Sequence, residues 1–277
     1  MTRMPGQDLS LPDTPAEADD EADGGTGAEN GATGYRLRGL QGRLIRDIGE
    51  SVVRGLYPPD TLLPRESELM ERYSASRTSV REAIKVLAAK GLVETRQKIG
   101  TRVRARDQWN IFDADVLAWH DFNEDGDEVL KDLIEMRQIV EPPAARFAAG
   151  RATLDDIAAI GQAWEAMRAA TGDPAAYTRA DVSFHMAVFR ASHNLLLKRF
   201  AHIVANFLQI SFRIQQEALV GDEQLDDDVA VHREIFEAIN RGDAAAAENA
   251  MMRTILDGKT HLHKARARFR ERMRKGK

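Results

Sequence analysis

The chain has 277 residues, 43% hydrophobic and 30% charged, enough for two domains with sizeable cores. It contains no cysteine, which excludes disulfides and thiolate metal sites and fits a reducing, cytoplasmic setting. The formal net charge of −5 argues against a nucleic-acid partner only until its distribution is read. Residues 1–34 hold one base and eight acids, residues 36–104 fifteen bases and eight acids, and residues 264–277 eight bases and one acid. A basic module on an acidic remainder is what a DNA-contacting domain produces. Acidic and small residues follow Met1, so no signal segment is expected, and no run approaches the ~18 apolar residues of a membrane span.

Residues 1–34 are rich in Gly, Ala, Asp and Glu and poor in large apolar side chains, so they read as a disordered acidic tail. A first folded unit, residues 35–104, begins near Tyr35. Leu40, Leu44, Ile45, Ile48, Val52 and Val53 recur at helical spacing and predict a first helix ending near Gly55. Pro58-Pro59 marks a turn, and Arg65 to Tyr73 predicts a second helix with Pro64 near its start. Ser76 is placed to cap a third helix whose inner face is Val80, Ala83, Ile84 and Leu87, and Gly91 ends it. Leu92–Thr95 and Thr101–Arg104 predict a two-stranded wing. The whole reads as a winged helix-turn-helix.

The first turn and a half of the third helix carries Arg77, Thr78, Ser79 and Arg81. An arginine there can donate two hydrogen bonds to guanine, and Thr and Ser can meet phosphates or a thymine methyl. Free N–H groups at the Ser76-capped helix start favour a phosphate. Arg65, Lys98 and Arg102 are placed for contact with the DNA backbone. The competing reading is a solvated helix face, with Glu82 pairing a neighbour; the coincidence of capped helix, tight turn and Gly100-Thr101 hairpin favours DNA.

Residues 105–127 form a connector too apolar for a free linker, since it holds Trp109, Phe112, Val116, Leu117 and Trp119, and it is expected to pack between the domains. From residue 128 to about 264 the pattern is helical throughout, broken at Gly150, Gly172-Asp173, Asn194, Gly221-Asp222 and Gly242-Asp243 into about six helices. Pro142-Pro143 is expected to kink or interrupt the first of these. The fold class is therefore mostly α: a winged helix-turn-helix with a small β-wing, then an all-α bundle. Residues 265–277 read as a basic tail that either touches DNA phosphates or merely solubilises a frayed end.

Asp181 and His185, four apart on one predicted helix, share a face and are within reach of a common ion; His232 lies on a later helix. Such spacing is also that of an ordinary hydrogen-bonded pair. Arg137 can grip a carboxylate through two parallel hydrogen bonds, or it can be paired internally with Glu135 or Glu141.

The N-terminal module resembles the GntR family of bacterial transcription regulators in its Leu63-Pro64-x-Glu66-x-Glu68-Leu69, Ser76-Arg77-Thr78-x-Val80-Arg81-Glu82-Ala83 and Gly100-Thr101-x-Val103 segments. The resemblance implies that Arg77, Thr78 and Arg81 meet bases and that the wing tip at Gly100 meets the minor groove. Ser67 stands where many relatives have Arg. The helical region is similar to the FCD effector domain of the FadR-type subfamily in Met136-Arg137-x-x-Val140-Glu141-Pro142, Asp181-x-x-Phe184-His185, His232-Arg233-x-Ile235 and Gly242-Asp243. In that subfamily an Asp and three His bind a divalent metal, zinc or similar, and a carboxylate effector completes the site. Asp181, His185 and His232 match three positions; Thr254 stands at the fourth, and His261, two turns on, is expected to be too distant to substitute. Three ligands can hold a metal with open positions, or the same residues can hydrogen-bond a polyol directly. The connector resembles that of galactonate-operon repressors and their near relatives, which implies a sugar-acid effector such as an aldonate.

The leading expectation is a non-enzymatic, ligand-responsive repressor of a sugar-acid operon, a homodimer on double-stranded operator DNA with no membrane partner. The alternatives are a metal-dependent enzyme using Asp181, His185 and His232 on a sugar acid, and a DNA binder without effector.

Overall fold

The computed structural model describes residues 39–120, 127–170, 172–217 and 223–275. The acidic stretch 1–34, Tyr35 and the Gly221-Asp222 break lie outside the described residues. Helices α1 (Gly39–Val53), α2 (Glu66–Tyr73) and α3 (Arg77–Ala89) precede strands β1 (Val93–Arg96) and β2 (Gly100–Val103). Then come α4 (Ala114–Trp119), α5 (Asp127–Arg151), α6 (Leu154–Ala169), α7 (Pro174–Ala191), α8 (Leu195–Glu217), α9 (Glu223–Asn240) and α10 (Ala244–Lys275). The fold is mostly helical, with a winged helix-turn-helix followed by a bundle of six helices, α5 to α10. No helix among the described residues is long and apolar enough to cross a membrane.

The N-terminal core forms where the helical periodicity places it: Leu44, Ile45, Ile48 and Val52 of α1 pack against Val80, Ala83, Ile84 and Leu87 of α3, all buried. Leu40, expected on the same face, is instead partly exposed at the helix start. Ser76 caps α3 by accepting from the Ser79 amide at 3.1 Å. Ser74, in the left-handed region at φ 48°, closes α2 and makes the tight turn. The wing pairs Val93 with Val103 and Arg96 with Gly100, antiparallel. Its first strand starts one residue later than expected because the Leu92 amide turns back to the Leu87 carbonyl at 3.0 Å. The chain before α2 joins the wing as a third edge, with the Leu63 amide donating to Thr101 O at 2.8 Å and the Val103 amide to Thr61 O at 2.9 Å.

The connector feeds both cores. Trp109, Val116 and Trp119 belong to the N-terminal cluster and Leu117 to that of the bundle. Phe112 is exposed. Asp113 caps α4, accepting from Asp115 N and Val116 N. Beyond the connector, α5 continues through Pro142 and Pro143 without the interruption that was one of the two expected outcomes. Two missing N–H donors cost several kcal/mol in isolation. Here Pro142 is buried, and the turn after it presents Ala144, Ala145 and Ala148 fully buried to the neighbouring helices. Packing of that face holds the helix together. The C-terminal segment also differs from a frayed tail: α10 continues to Lys275, and Leu262 and Ala265 are buried in it.

Candidate functional site

Two sites emerge, one on the surface of the N-terminal module and one inside the bundle. On the first, Arg65, Arg77, Thr78 and Arg81 are exposed at the adjoining ends of α2 and α3. Ser76 is occupied by its cap, with its Oγ 2.9 Å from that of the half-exposed Ser79. Arg65 is the residue preceding α2, where its amide donates to Glu68 at 3.0 Å. Arg77 makes no ion pair among the described residues. Arg81 is held: its Nε donates to both oxygens of Glu66, at 3.1 and 3.0 Å, while the side chain stays 58% exposed. Glu82 does pair with a neighbour, Lys85, at 2.7 Å. At the hairpin tip Lys98 (φ 64°) and Gly100 (φ 121°) are exposed and bend the turn. The Arg102 Nε is buried, and its Nη1 lies 3.8 Å from Asp60 with the side chain 34% exposed.

Inside the bundle, α7 supplies Asp181 and His185, and α9 supplies His232; all are buried. One donor atom from each lies within 4.8 Å of the others. His232 Nε2 is 3.2 Å from Asp181 Oδ1 and 3.4 Å from His185 Nε2. The other ring nitrogen of His232 is fixed by the Asp228 carbonyl oxygen at 2.7 Å, and the Asp228 carboxylate accepts the Tyr177 hydroxyl at 2.6 Å. His185 Nδ1 is 2.6 Å from Glu141 Oε2, close but without in-line hydrogen-bond geometry. Arg137 is buried and bonded to Glu141, so of the alternatives weighed for it the internal ion pair is the one present. For His232, the Asp228 carbonyl is the kind of outer partner that orients a ligand imidazole.

Charge in this cluster is self-consistent. Burial opposes the charge on His232, yet Asp228 and Asp181 outweigh it and lift the ring to about 9. Burial likewise opposes charge on Glu141, but Arg137 and His185 hold it at about 2. Asp181 is also depressed, burial being outweighed by the two histidines. Its Oδ2 is buried without a partner. An orphaned carboxylate oxygen beside two imidazoles is a donor set suited to a divalent cation.

The cluster forms the wall of a cavity of about 50 Å³, or about 590 Å³ with its open mouth. Arg137 and Thr254 also line it. Thr254 is buried and donates to the Ala250 carbonyl at 3.1 Å, so it is a short helix-bound hydroxyl. His261 lines the same cavity, although it is outside the converging donor group. Sequence reasoning missed Ser211, Gln215, Gly258 and Lys259 in that wall. The signal for Gly258 was the stripe 254, 258, 261, which shares one helix face, and it became readable only once Thr254 was known to look inward; Lys259, one residue on, had no such signal.

A winged helix-turn-helix joined through an apolar connector to a bundle with an internal cavity of mixed polar and apolar lining defines a ligand-responsive DNA-binding regulator. Residues 40–103 match the bacterial regulatory proteins of the gntR family and residues 132–257 match the FCD domain. The galactonate operon transcriptional repressor of Escherichia coli K12 is 34% identical over 221 residues, 79% of this chain and 95% of that one. The Uxu operon transcriptional regulator of the same organism is 31% identical over 230 residues, 80% of this chain and 84% of that one. A solved structure of Lar, described as controlling the Listeria monocytogenes agr system, is alike in fold at TM-score 0.60 and 17% identity, covering 83% of this chain and 99% of that one. The chain belongs to the gntR family of bacterial regulatory proteins and carries its FCD domain. The matched families and relatives are transcription regulators, which sets the enzyme alternative aside.

Proposed function

We propose that this regulator is a cytoplasmic repressor of a sugar-acid catabolic operon, acting as a homodimer on a pseudo-palindromic operator and answering to an acyclic hydroxy acid such as an aldonate. The observation that carries this is the likeness to the galactonate operon repressor over nearly that protein's whole length. The polar, buried cavity in the FCD domain supports it. On this reading Arg77, Thr78 and Arg81 meet base edges, with Glu66 orienting Arg81. Arg65, Ser79 and Lys98 meet phosphates, and the Gly100 wing tip enters the minor groove.

Asp181, His185 and His232 would hold a divalent metal, zinc or similar, for which the unpartnered Asp181 oxygen and the spacing of the donors speak. A bound metal supplies positive charge and open coordination positions for an effector carboxylate. Arg137 then acts through Glu141, which braces His185. Thr254 leaves room where a fourth imidazole would stand.

Mobility shifts with the DNA upstream of the gene and a panel of aldonates test the reading. We expect at least one sugar acid to change operator affinity about 5- to 150-fold. Equal affinity with and without every member of the panel overturns it.

A further inference from the structure

Part of the cavity wall is formed by α10. Thr254, Gly258 and His261 follow one another at helical spacing along its wall, with Lys259 beside them. Gly258 sits in a helix interior, where glycine costs about 1 kcal/mol against alanine. Packing does not require it, because a Cβ there would meet nothing within 4 Å. What the glycine leaves is open space in the cavity wall. Lys259 and His261 line the same cavity, half-buried, and neither side chain forms a hydrogen bond or ion pair among the described residues. Arg137, by contrast, has its charge matched by Glu141. Among the described residues, Lys259 of α10 is thus a cationic side chain on the cavity wall without an ion pair, beside the His261 imidazole and outside the Asp181, His185 and His232 donor group. Ser211 of α8 lines the same cavity; its Oγ accepts from the Gln215 side-chain amide at 3.2 Å, and its own hydrogen can be donated to a ligand hydroxyl.

We propose that Lys259 and His261 are an anion-holding subsite, so that the ligand best matched to the cavity is an open-chain hydroxy acid with a carboxylate at each end. One carboxylate meets the Asp181 cluster and its metal; the other meets Lys259 and His261. The inference rests on the sugar-acid reading above and narrows it from monoacids to diacids. It also gives the stripe a purpose: short side chains at 254 and 258 clear the path that a six-carbon chain would follow.

Calorimetric titration of the full chain, loaded with one equivalent of zinc, separates the two ideas. The probes are galactarate, galactonate and galactitol, which carry two, one and no carboxylates on the same carbon skeleton. We expect galactarate to bind about tenfold or more tighter than galactonate, the scale of one charge-assisted pair. Lys259→Met should abolish most of that preference while changing galactonate affinity little, and His261→Gln should reduce it in part. Lys259→Gln, with circular dichroism to check folding, serves if the Met variant does not fold. Galactonate binding as tightly as galactarate, or a preference that survives both Lys259 variants, overturns the proposal and leaves the sugar-acid reading standing. If none of the three binds, both fall.

Discussion

Arg81 and Glu66 stand fifteen residues apart on different helices, and the fold brings carboxylate and guanidinium to about 3 Å. An exposed pair of this kind adds little stability. On the proposed reading its value is orientation: a guanidinium steered at Nε retains its other donors for a base edge. Arg81→Ala is therefore expected to weaken specific operator binding by about 1–3 kcal/mol while non-specific binding falls much less. Gel shifts against operator and scrambled DNA check this, and an equal loss on both would displace Arg81 from base reading. Glu141 is the other residue whose role is tertiary. It titrates near 2 in the fold, against an ordinary 4.5. A depressed carboxylate contributes stability that is complete above pH 4.5 and disappears as pH falls toward 2. Glu141→Gln should lower stability at pH 7 and flatten its decline between pH 4.5 and 2, measured by urea unfolding across that range. A parallel decline in both proteins would remove Glu141 from the acid response.

Among the elements, α4 is the shortest of the helices and sits at the join. Its Trp119 lies so close to α1 that a Cβ on Gly49 would come within 2.4 Å of the ring. Arg54 reaches the Trp119 carbonyl at 3.4 Å, and the Lys90 ammonium stands 5.8 Å from the ring centre. The two tryptophans of the connector marked it in sequence as a packed segment, because such surface is costly to leave in water. Gly49 gave no such sign, since a glycine in a helix does not announce what touches it. Gly49→Ala should cost about 1–3 kcal/mol through overpacking, although alanine is the better helix former. Thermal unfolding checks the sign: a gain in Tm would mean that Trp119 moves aside freely.

At the scale of the whole molecule, Lys90 ties the reading helix to the connector. It follows the last residue of α3, is buried, and donates to Asp113 at 2.8 Å and Asp115 at 2.6 Å. Burial disfavours its charge, but hydrogen bonds to the two aspartates outweigh that and raise its pKa. Those aspartates start α4, whose Leu117 is part of the bundle core. On the proposed regulatory reading, this clasp is the carrier expected for a shift from the bundle to the recognition helix. Lys90→Met should bring the ligand's effect on operator affinity close to unity, compared in gel shifts with and without galactonate. A wild-type response in that variant would exclude the clasp as the carrier.

The amino-acid order alone determined the helix-turn-helix and its inward faces, the wing, the six-helix region and the ligand-like residues Asp181, His185 and His232. These are set by local periodicity, capping and short spacing, which act within a few residues of chain. It could not decide that α5 would pass through Pro142-Pro143, that Arg137 would be matched by Glu141, that Arg102 would turn to Asp60, or that α10 would bring Lys259 to the cavity. Each of those depends on which helix faces which, and that is settled only when apolar surfaces far apart in the chain are buried together.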